Sequence, residues 1–287
     1  MNKEHFSVTK LDKTFGVTVR DVKLSKLTEG EVKELYSLWL RHSLLIFPDQ
    51  HLSTKEQIEF AKLFGVMEFD LAPISNVRSD GSIRDPVDDD VVKSLRGNME
   101  WHHDSTYMPI QAKGSVFTAH TVPADGGETG WADMTAAYKA LDPNMKDKVE
   151  GLRAYHSYVY SQAKYKHKPQ EESEFSGYGF DVDPHPFRPL VKTHPETGRK
   201  SLLIGRHAYG IPGMSKKDSK ALLDELNDFA CQGDRVYHHS WTPGDAVIWD
   251  NRNLMHQASP WDLNEARVMY HSRIQGDASS ESGLNYL

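Results

Sequence analysis

The hydrophobic pattern changes period twice within the first seventy residues. Val32, Leu35, Tyr36 and Trp39 have helical spacing, and Thr28 with Glu31 forms a capping box in front of them. LLIF at 44–47 follows as a continuous apolar run of strand length. Ser53 with Glu56 repeats the capping box before a second helix, which Gly65 stops. Both helices are expected to pack on the outside of a sheet.

From about residue 100 the chain becomes β-rich. SVFTAHTV, PLVKTH, SLLIGRH, RVYHH, AVIWD and RVMYHSRI alternate with turn signals. HPETGRK at 194–200 reads as a hairpin turn, and TPGD at 242–245 as a tight turn feeding a strand. One further helix is expected after Ser215, over KKDSKALLDELNDFA. Many short strands with few helices predict a mainly β fold with flanking helices, a sandwich or jelly roll. With no internal repeat or low-complexity linker, residues 1–287 read as one domain, residues 1–70 packing on the β-rich part. The polar stretches 78–97 and 161–186 are expected to be mobile lid loops.

Composition narrows the classes of function. Hydrophobic residues are 38% and charged residues 26%, an ordinary globular balance. The formal charge is −7 with no Lys/Arg-rich block, which argues against nucleic acid as a partner. No apolar run approaches a membrane span, and MNKEHFSVTK lacks the apolar core of a secretory signal. Cys231 is the single cysteine, so an intrachain disulfide and a thiolate-rich metal site are excluded. The expected compartment is the cytoplasm. A homo-oligomer is compatible with the chain, which assigns no exposed apolar face. The unusual count is 15 histidines, since histidine is the commonest metal ligand.

NMEWHHDSTY sets His102 two residues before Asp104. On a strand those two side chains share a face and His103 points away, which selects His102 as the partner of Asp104. AVIWDNRNLMHQ supplies a distant third candidate, His256. Two imidazoles and a carboxylate on one face suit non-haem Fe(II), although the same set also holds zinc in hydrolases. In RVMYHSRI the period of two places Arg267, Met269, His271 and Arg273 on one face. Such cations either face solvent or line an anion-binding cavity, because buried charges need partners. Arginine also offers a planar fork that grips carboxylates in bidentate fashion.

WHHD, GGETGWADM, HPETGRKSLLIGRHA, PGDAVIWDNR and the arginine-bearing last strand together resemble the TauD/TfdA family of 2-oxoglutarate dioxygenases. The likeness runs over essentially the whole chain. Within the family the sequence is similar to aryloxyalkanoate dioxygenases, those acting on (R)-2-phenoxypropionates and 2,4-dichlorophenoxyacetate among them. The resemblance implies a double-stranded β-helix, with Fe(II) as cofactor, 2-oxoglutarate as cosubstrate and O2 as oxidant. It implies His102, Asp104 and His256 as iron ligands, and Arg267 with Thr129 on the distal carboxylate of 2-oxoglutarate. Trp249 matches an indole near the metal, and Asn98 a substrate contact.

One position departs from the taurine-type pattern. Four residues after the cosubstrate arginine, where that pattern has a second arginine, stands His271. Arg273, two further on, is then the expected clamp for a small anionic substrate, with His271 beside it and His207 in GRHAYG as a further pocket residue. His238 and His239 are expected to be structural. The reaction implied is hydroxylation of an aryloxyalkanoate at the ether carbon, collapse to a phenol and a 2-oxo acid, and release of succinate and CO2. Taurine or another alkylsulfonate is the alternative substrate. A zinc hydrolase and a non-catalytic jelly-roll binding module are the alternatives of another class.

Overall fold

A computed structural model describes residues 6–168 and 177–286. Both capping boxes form. The Thr28 hydroxyl accepts from the Glu31 N–H, and the Glu31 carboxylate accepts from the Thr28 N–H, opening the helix Glu29–His42. Ser53 and Glu56 do the same for Thr54–Lys62. The first helix ends at Ser43, which takes a left-handed φ of 64° and returns its N–H to the Trp39 carbonyl. That sharp turn sends the chain directly into the strand Leu44–Phe47.

Two antiparallel sheets face each other. The larger has seven strands, in the spatial order Ser7–Lys10, Val17–Arg20, Leu44–Phe47, Ala246–Asp250, Ala112–Thr121, Val268–Gln275, Met67–Ser75. Its one parallel pair joins Val17–Arg20 to Leu44–Phe47. The smaller sheet has three strands, with Thr129–Asp133 between Val236–His239 and Leu254–Ala258. Strand alternation then sorts side chains into layers. Ile46, Val247, Trp249 and Met269 point inward and meet Trp131 and Leu254 of the smaller sheet. Leu45, Phe47, Ala246, Ile248 and Ile274 point outward and pack under Leu35, Trp39 and Phe60 of the two helices. A third cluster covers the far side of the smaller sheet, where Ala132 and Met255 meet Leu222, Leu223 and Leu226 of the helix Lys216–Ala230. The layers run helix, sheet, sheet, helix, and the central pair of sheets is the jelly roll that the strand pattern predicts.

Several elements differ from the sequence reading. PLVKTH is not one strand: Phe187–Pro189 pairs with Arg153–His156, and Val191–Thr193 makes the expected hairpin with Lys200–Leu202. Met67–Ser75 is a strand that periodicity misses. It lies at a sheet edge, where Pro73 is tolerated, and most of its residues are half-buried on both faces. Thr129–Asp133 is hidden by its Gly and Asp, yet all of it is buried. Gly130 is needed there, because a Cβ would lie 2.7 Å from the His238 ring. The stretch 78–97 contains the helix Asp90–Gly97. Acids of this stretch, expected to be a mobile loop, hold backbone instead. Asp85 accepts from the N–H groups of Val87 and Asp88, and Asp89 caps the helix while pairing with Arg78 and Arg84. The stretch 161–186 begins inside the helix Tyr158–Ala163, and its residues 169–176 lie outside the described residues. Among the described residues no helix is long and apolar enough to cross a membrane.

Trp39→Ala empties the centre of the outer layer and is expected to cost about 3–5 kcal/mol, whereas Ser53→Ala removes one cap at about 1 kcal/mol. Chemical denaturation ranks the two variants. Equal losses would contradict the packing of these helices on the larger sheet.

Candidate metal centre

His102 and His256 are brought together by backbone. The two residues form an isolated antiparallel bridge, with His102 N–H to His256 O at 3.0 Å and His256 N–H to His102 O at 2.8 Å. Their rings lie 4.2 Å apart between centroids. The expected strand through residues 102–104 is not there, because the chain turns after the bridge and Ser105 takes a φ of 55°. Asp104 is turned inward by a different device, the side chain of Asn251. Its Oδ1 accepts the Asp104 N–H at 2.8 Å, and its Nδ2 donates to Asp104 O at 2.9 Å and Ala112 O at 2.8 Å. His103 does point away, as the alternation predicts, and its Nδ1–H donates to the Asn251 carbonyl at 2.7 Å.

One ligand atom from each of His102, Asp104 and His256 lies within 4.8 Å of the others. Nδ1–H of His102 donates to the Glu100 carbonyl at 2.7 Å, which leaves its Nε2 lone pair free for a metal. Burial pushes the His102 and His256 imidazoles below their ordinary value, into the neutral form that ligates. Burial also raises the Asp104 carboxyl, but Arg273, His256, His271 and His102 together hold it well below the usual carboxylate range. Two neutral imidazoles and an ionised carboxylate, buried on one cavity wall, fit a divalent first-row metal with positions to spare.

All four residues expected on the inner face of the last strand are buried. Arg273, however, is committed to the triad. Its Nη2 donates to Asp104 Oδ1 at 2.7 Å and its Nη1 to Ser105 Oγ at 3.1 Å, under the rings of Phe69 and Tyr178. Arg273, expected as the substrate-anion clamp, thus lines the cavity already paired with Asp104, with only its Nε left without a partner. His271 lies 3.5 Å from Asp104 Oδ2 and stacks on Trp249, and burial pushes its imidazole down to about 3. Arg267 is different. Its Nε donates to the Gly127 carbonyl at 3.0 Å while Nη2 is buried with no partner. Burial pushes this guanidinium down to about 10. Gly127, at φ +69°, lets the arginine pass, since a Cβ would sit 3.2 Å from its side chain. Thr129 opens into the same cavity, and its Oγ accepts the Trp241 indole N–H at 3.0 Å.

The cavity holds about 580 Å³, and the triad, Thr129, Arg267, Asn98, His207, His271 and Arg273 all line it. Asn98 caps the helix Asp90–Gly97, and His207 Nδ1 bonds Ser161 Oγ at 2.8 Å. His239 lies outside that lining, paired with Asp245 at 3.0 Å, and His238 is exposed over Gly130. Much of the wall escaped the sequence reading. Leu71, Ile74 and Val77 come from or follow the edge strand, Val91 and Leu95 come from the helix of 90–97, Tyr158 opens the helix Tyr158–Ala163, and Tyr107 and Tyr178 come from connecting segments. Arg206 was also missed. It is half-buried beside His207, against Gly97, with Nε and Nη1 out of solvent and unpartnered. GRHA in the sequence carries the residue, but nothing local marks it as half-buried.

The chain matches the family model described as "Taurine catabolism dioxygenase TauD, TfdA family" over residues 7–273. It is 57% identical over 281 residues to the (S)-phenoxypropionate/alpha-ketoglutarate-dioxygenase of Sphingobium herbicidovorans, covering 97% of this chain and 98% of that one. It is 51% identical to the protein of the same name from Delftia acidovorans, covering 96% of each. The crystal structure of AAD-2 in complex with Mn(II) and N-oxalylglycine superposes with a TM-score of 0.87 at 34% identity, covering 97% of this chain and 99% of that one.

The buried imidazoles set an acid limit on stability. His103 is pushed down to about 4 and His271 to about 3, and His156 also lies well below its ordinary value, each by burial. The unfolded chain takes protons near pH 6.5 that the folded chain refuses, so stability is full above about 6.5 and is lost as pH falls toward 4. Thermal melts of the metal-free protein should move steadily downward from pH 7 to pH 5. A flat Tm over that interval would show that these rings reach solvent.

Proposed function

The chain belongs to the TauD/TfdA family of dioxygenases, and from that premise we propose that it oxidises an aryloxyalkanoate anion with 2-oxoglutarate as cosubstrate and Fe(II) as its metal. It is a 2-oxoglutarate-dependent dioxygenase, an oxidoreductase, so the hydrolase and binding-module alternatives fall away. Relatives at 57% and 51% identity are named for phenoxypropionate, which favours an aryloxyalkanoate over taurine or another sulfonate. Both names specify the (S) form, so the proposal here is the (S) enantiomer, replacing the (R) form that the resemblance suggested.

The observation that carries the reading is Arg267, a buried guanidinium with an unpartnered Nη2, in one cavity with a buried two-histidine, one-carboxylate set. An unpaired buried cation is costly, and a carboxylate from a ligand removes the cost. N-oxalylglycine, which occupies the AAD-2 complex, has the two carboxylates and keto oxygen of 2-oxoglutarate. Here Arg267 and Thr129 would hold the distal carboxylate, and His102, Asp104 and His256 would hold the metal. Bound Fe(II) supplies the redox chemistry by which 2-oxoglutarate and O2 give succinate, CO2 and one oxygen atom for the substrate. Arg273 keeps Asp104 ionised and aimed. The apolar residues of the strand Met67–Ser75 and the helix Asp90–Gly97 exclude water and suit an aromatic ring. Val91, Ser94 and Leu95 from the stretch 78–97 and Tyr178 from the stretch 161–186 would then act as walls of this cavity.

With Arg273 engaged on Asp104, the substrate carboxylate falls to His207, His271 and Asn98 in the wall, with the unpartnered edge of Arg206 behind His207. Products of the (S)-phenoxypropionate reaction would be a phenol and a 2-oxo acid.

Anaerobic addition of Fe(II) and 2-oxoglutarate should give a visible charge-transfer band, and succinate release should depend on an aryloxyalkanoate. No band from folded protein would sink the reading. Arg267→Gln should raise the KM for 2-oxoglutarate roughly a hundredfold, in line with the loss of a buried charge pair. Arg206→Met should raise the substrate KM about tenfold or more at unchanged KM for 2-oxoglutarate, without lowering Tm, because two of its guanidinium nitrogens have no partner to lose in the folded chain.

A further inference from the structure

The buried Trp39, Trp131 and Trp249 and the half-buried Trp261 leave their indole N–H without a partner. Trp241 does not. Its Nε1–H donates to Thr129 Oγ at 3.0 Å, a side-chain bond spanning 112 residues of sequence. The ring has little freedom to do otherwise. Phe117 meets it edge-on at 77° and 5.8 Å, His239 at 86° and 4.7 Å, and Trp131 at 61° and 6.4 Å. Thr129 is equally fixed. It sits on the central strand of the smaller sheet, paired with His239 on one side and Ala258 on the other. Its branched Cβ restricts χ1 as well.

A threonine hydroxyl has one proton to give and two lone pairs to accept with. With the indole N–H filling one lone pair, the hydroxyl proton cannot point toward Trp241. It is left to be donated elsewhere, and Thr129 shares the cavity with the unpartnered Nη2 of Arg267. We propose that Trp241 is a positioning residue for the cosubstrate: its indole N–H orients the Thr129 hydroxyl as a donor to the distal carboxylate that Arg267 receives. This inference rests on the assignment of that carboxylate to Arg267 and Thr129 and adds the residue that aims one of the two donors. Trp241 touches no reacting atom, so its influence is on binding and not on the chemical step.

The test is an equilibrium titration of 2-oxoglutarate into the anaerobic Fe(II) enzyme, followed by the visible band, on Trp241→Phe, Thr129→Val and the double variant. Trp241→Phe keeps an aromatic ring and loses the donor. A benzothienylalanine at position 241 keeps the whole bicyclic shape and lacks only the N–H, which separates the hydrogen bond from packing. Each is expected to weaken 2-oxoglutarate binding about three- to tenfold, the worth of one oriented hydrogen bond, and in the two Trp241 variants kcat at saturating cosubstrate and the KM for the organic substrate should be little moved. In the Thr129→Val background the same change at 241 should have no further effect, because the pair acts as a unit. Additive effects of the two variants, or unchanged affinity in the benzothienylalanine protein, would overturn the positioning role while leaving the cosubstrate assignment standing. Unchanged affinity in Thr129→Val would overturn the assignment of the carboxylate itself, and the inference with it.

Discussion

A carboxylate buried between two apolar sheets is the constraint around which this molecule is arranged. Asp104 is 4% exposed, and an ion in such surroundings is tolerable only when charge and hydrogen bonds surround it. Arg273 supplies the charge, Ser115 Oγ donates to Oδ2 at 3.1 Å, and Asn251 grips the backbone on both sides of the Asp104 peptide. Every one of these partners comes from a strand of the larger sheet or the turn that leaves it. The sheet therefore does two tasks at once: it carries the core on both faces and delivers the groups that make an internal anion affordable.

The same solution recurs one residue before Asn251. Asp250 is fully buried and is held by His194 at 2.9 Å and by two donors of Arg252 at 2.8 and 2.9 Å. Burial raises its carboxyl, and Arg252 and His194 more than compensate, holding it below the usual range. His194 arrives from the hairpin turn at 194–200, so a surface turn anchors the segment that carries Asn251 and, beyond it, His256. Two adjacent polar residues thus tie the strand that carries His256 to the rest of the fold. A satisfied network of this kind is rigid, which suits ligands that must hold one geometry.

Satisfaction is less complete among the arginines. Arg273 and Arg252 have carboxylate partners, whereas Arg267 and Arg206 keep buried donors unpartnered. Arg267 and Arg206, which have no carboxylate bonded to them, are each near a cavity residue, Thr129 in one case and His207 in the other. Their desolvation is an internal cost that a bound dianion and a bound monoanion would relieve, which is a physical reason for such a site to select carboxylates.

The sequence by itself determined what depends on short-range periodicity. The capping boxes at Thr28 and Ser53, the inward face of the last strand, and the separation of His103 from His102 and Asp104 were all legible, because side-chain direction follows from spacing. That His102, Asp104 and His256 meet in one cluster was legible too, although the stated reason was partly wrong: Asp104 is aimed by Asn251 and not by a strand. What only the tertiary structure decided are the partners met across long stretches of chain. Asn251 reaches Asp104 over 147 residues, Arg273 reaches it over 169, and Trp241 reaches Thr129 over 112. The cavity wall formed by the strand Met67–Ser75 and the helix Asp90–Gly97 belongs to the same class. Period fixes the face a side chain occupies, but sheet order and register decide what stands opposite it, and those are properties of the whole chain.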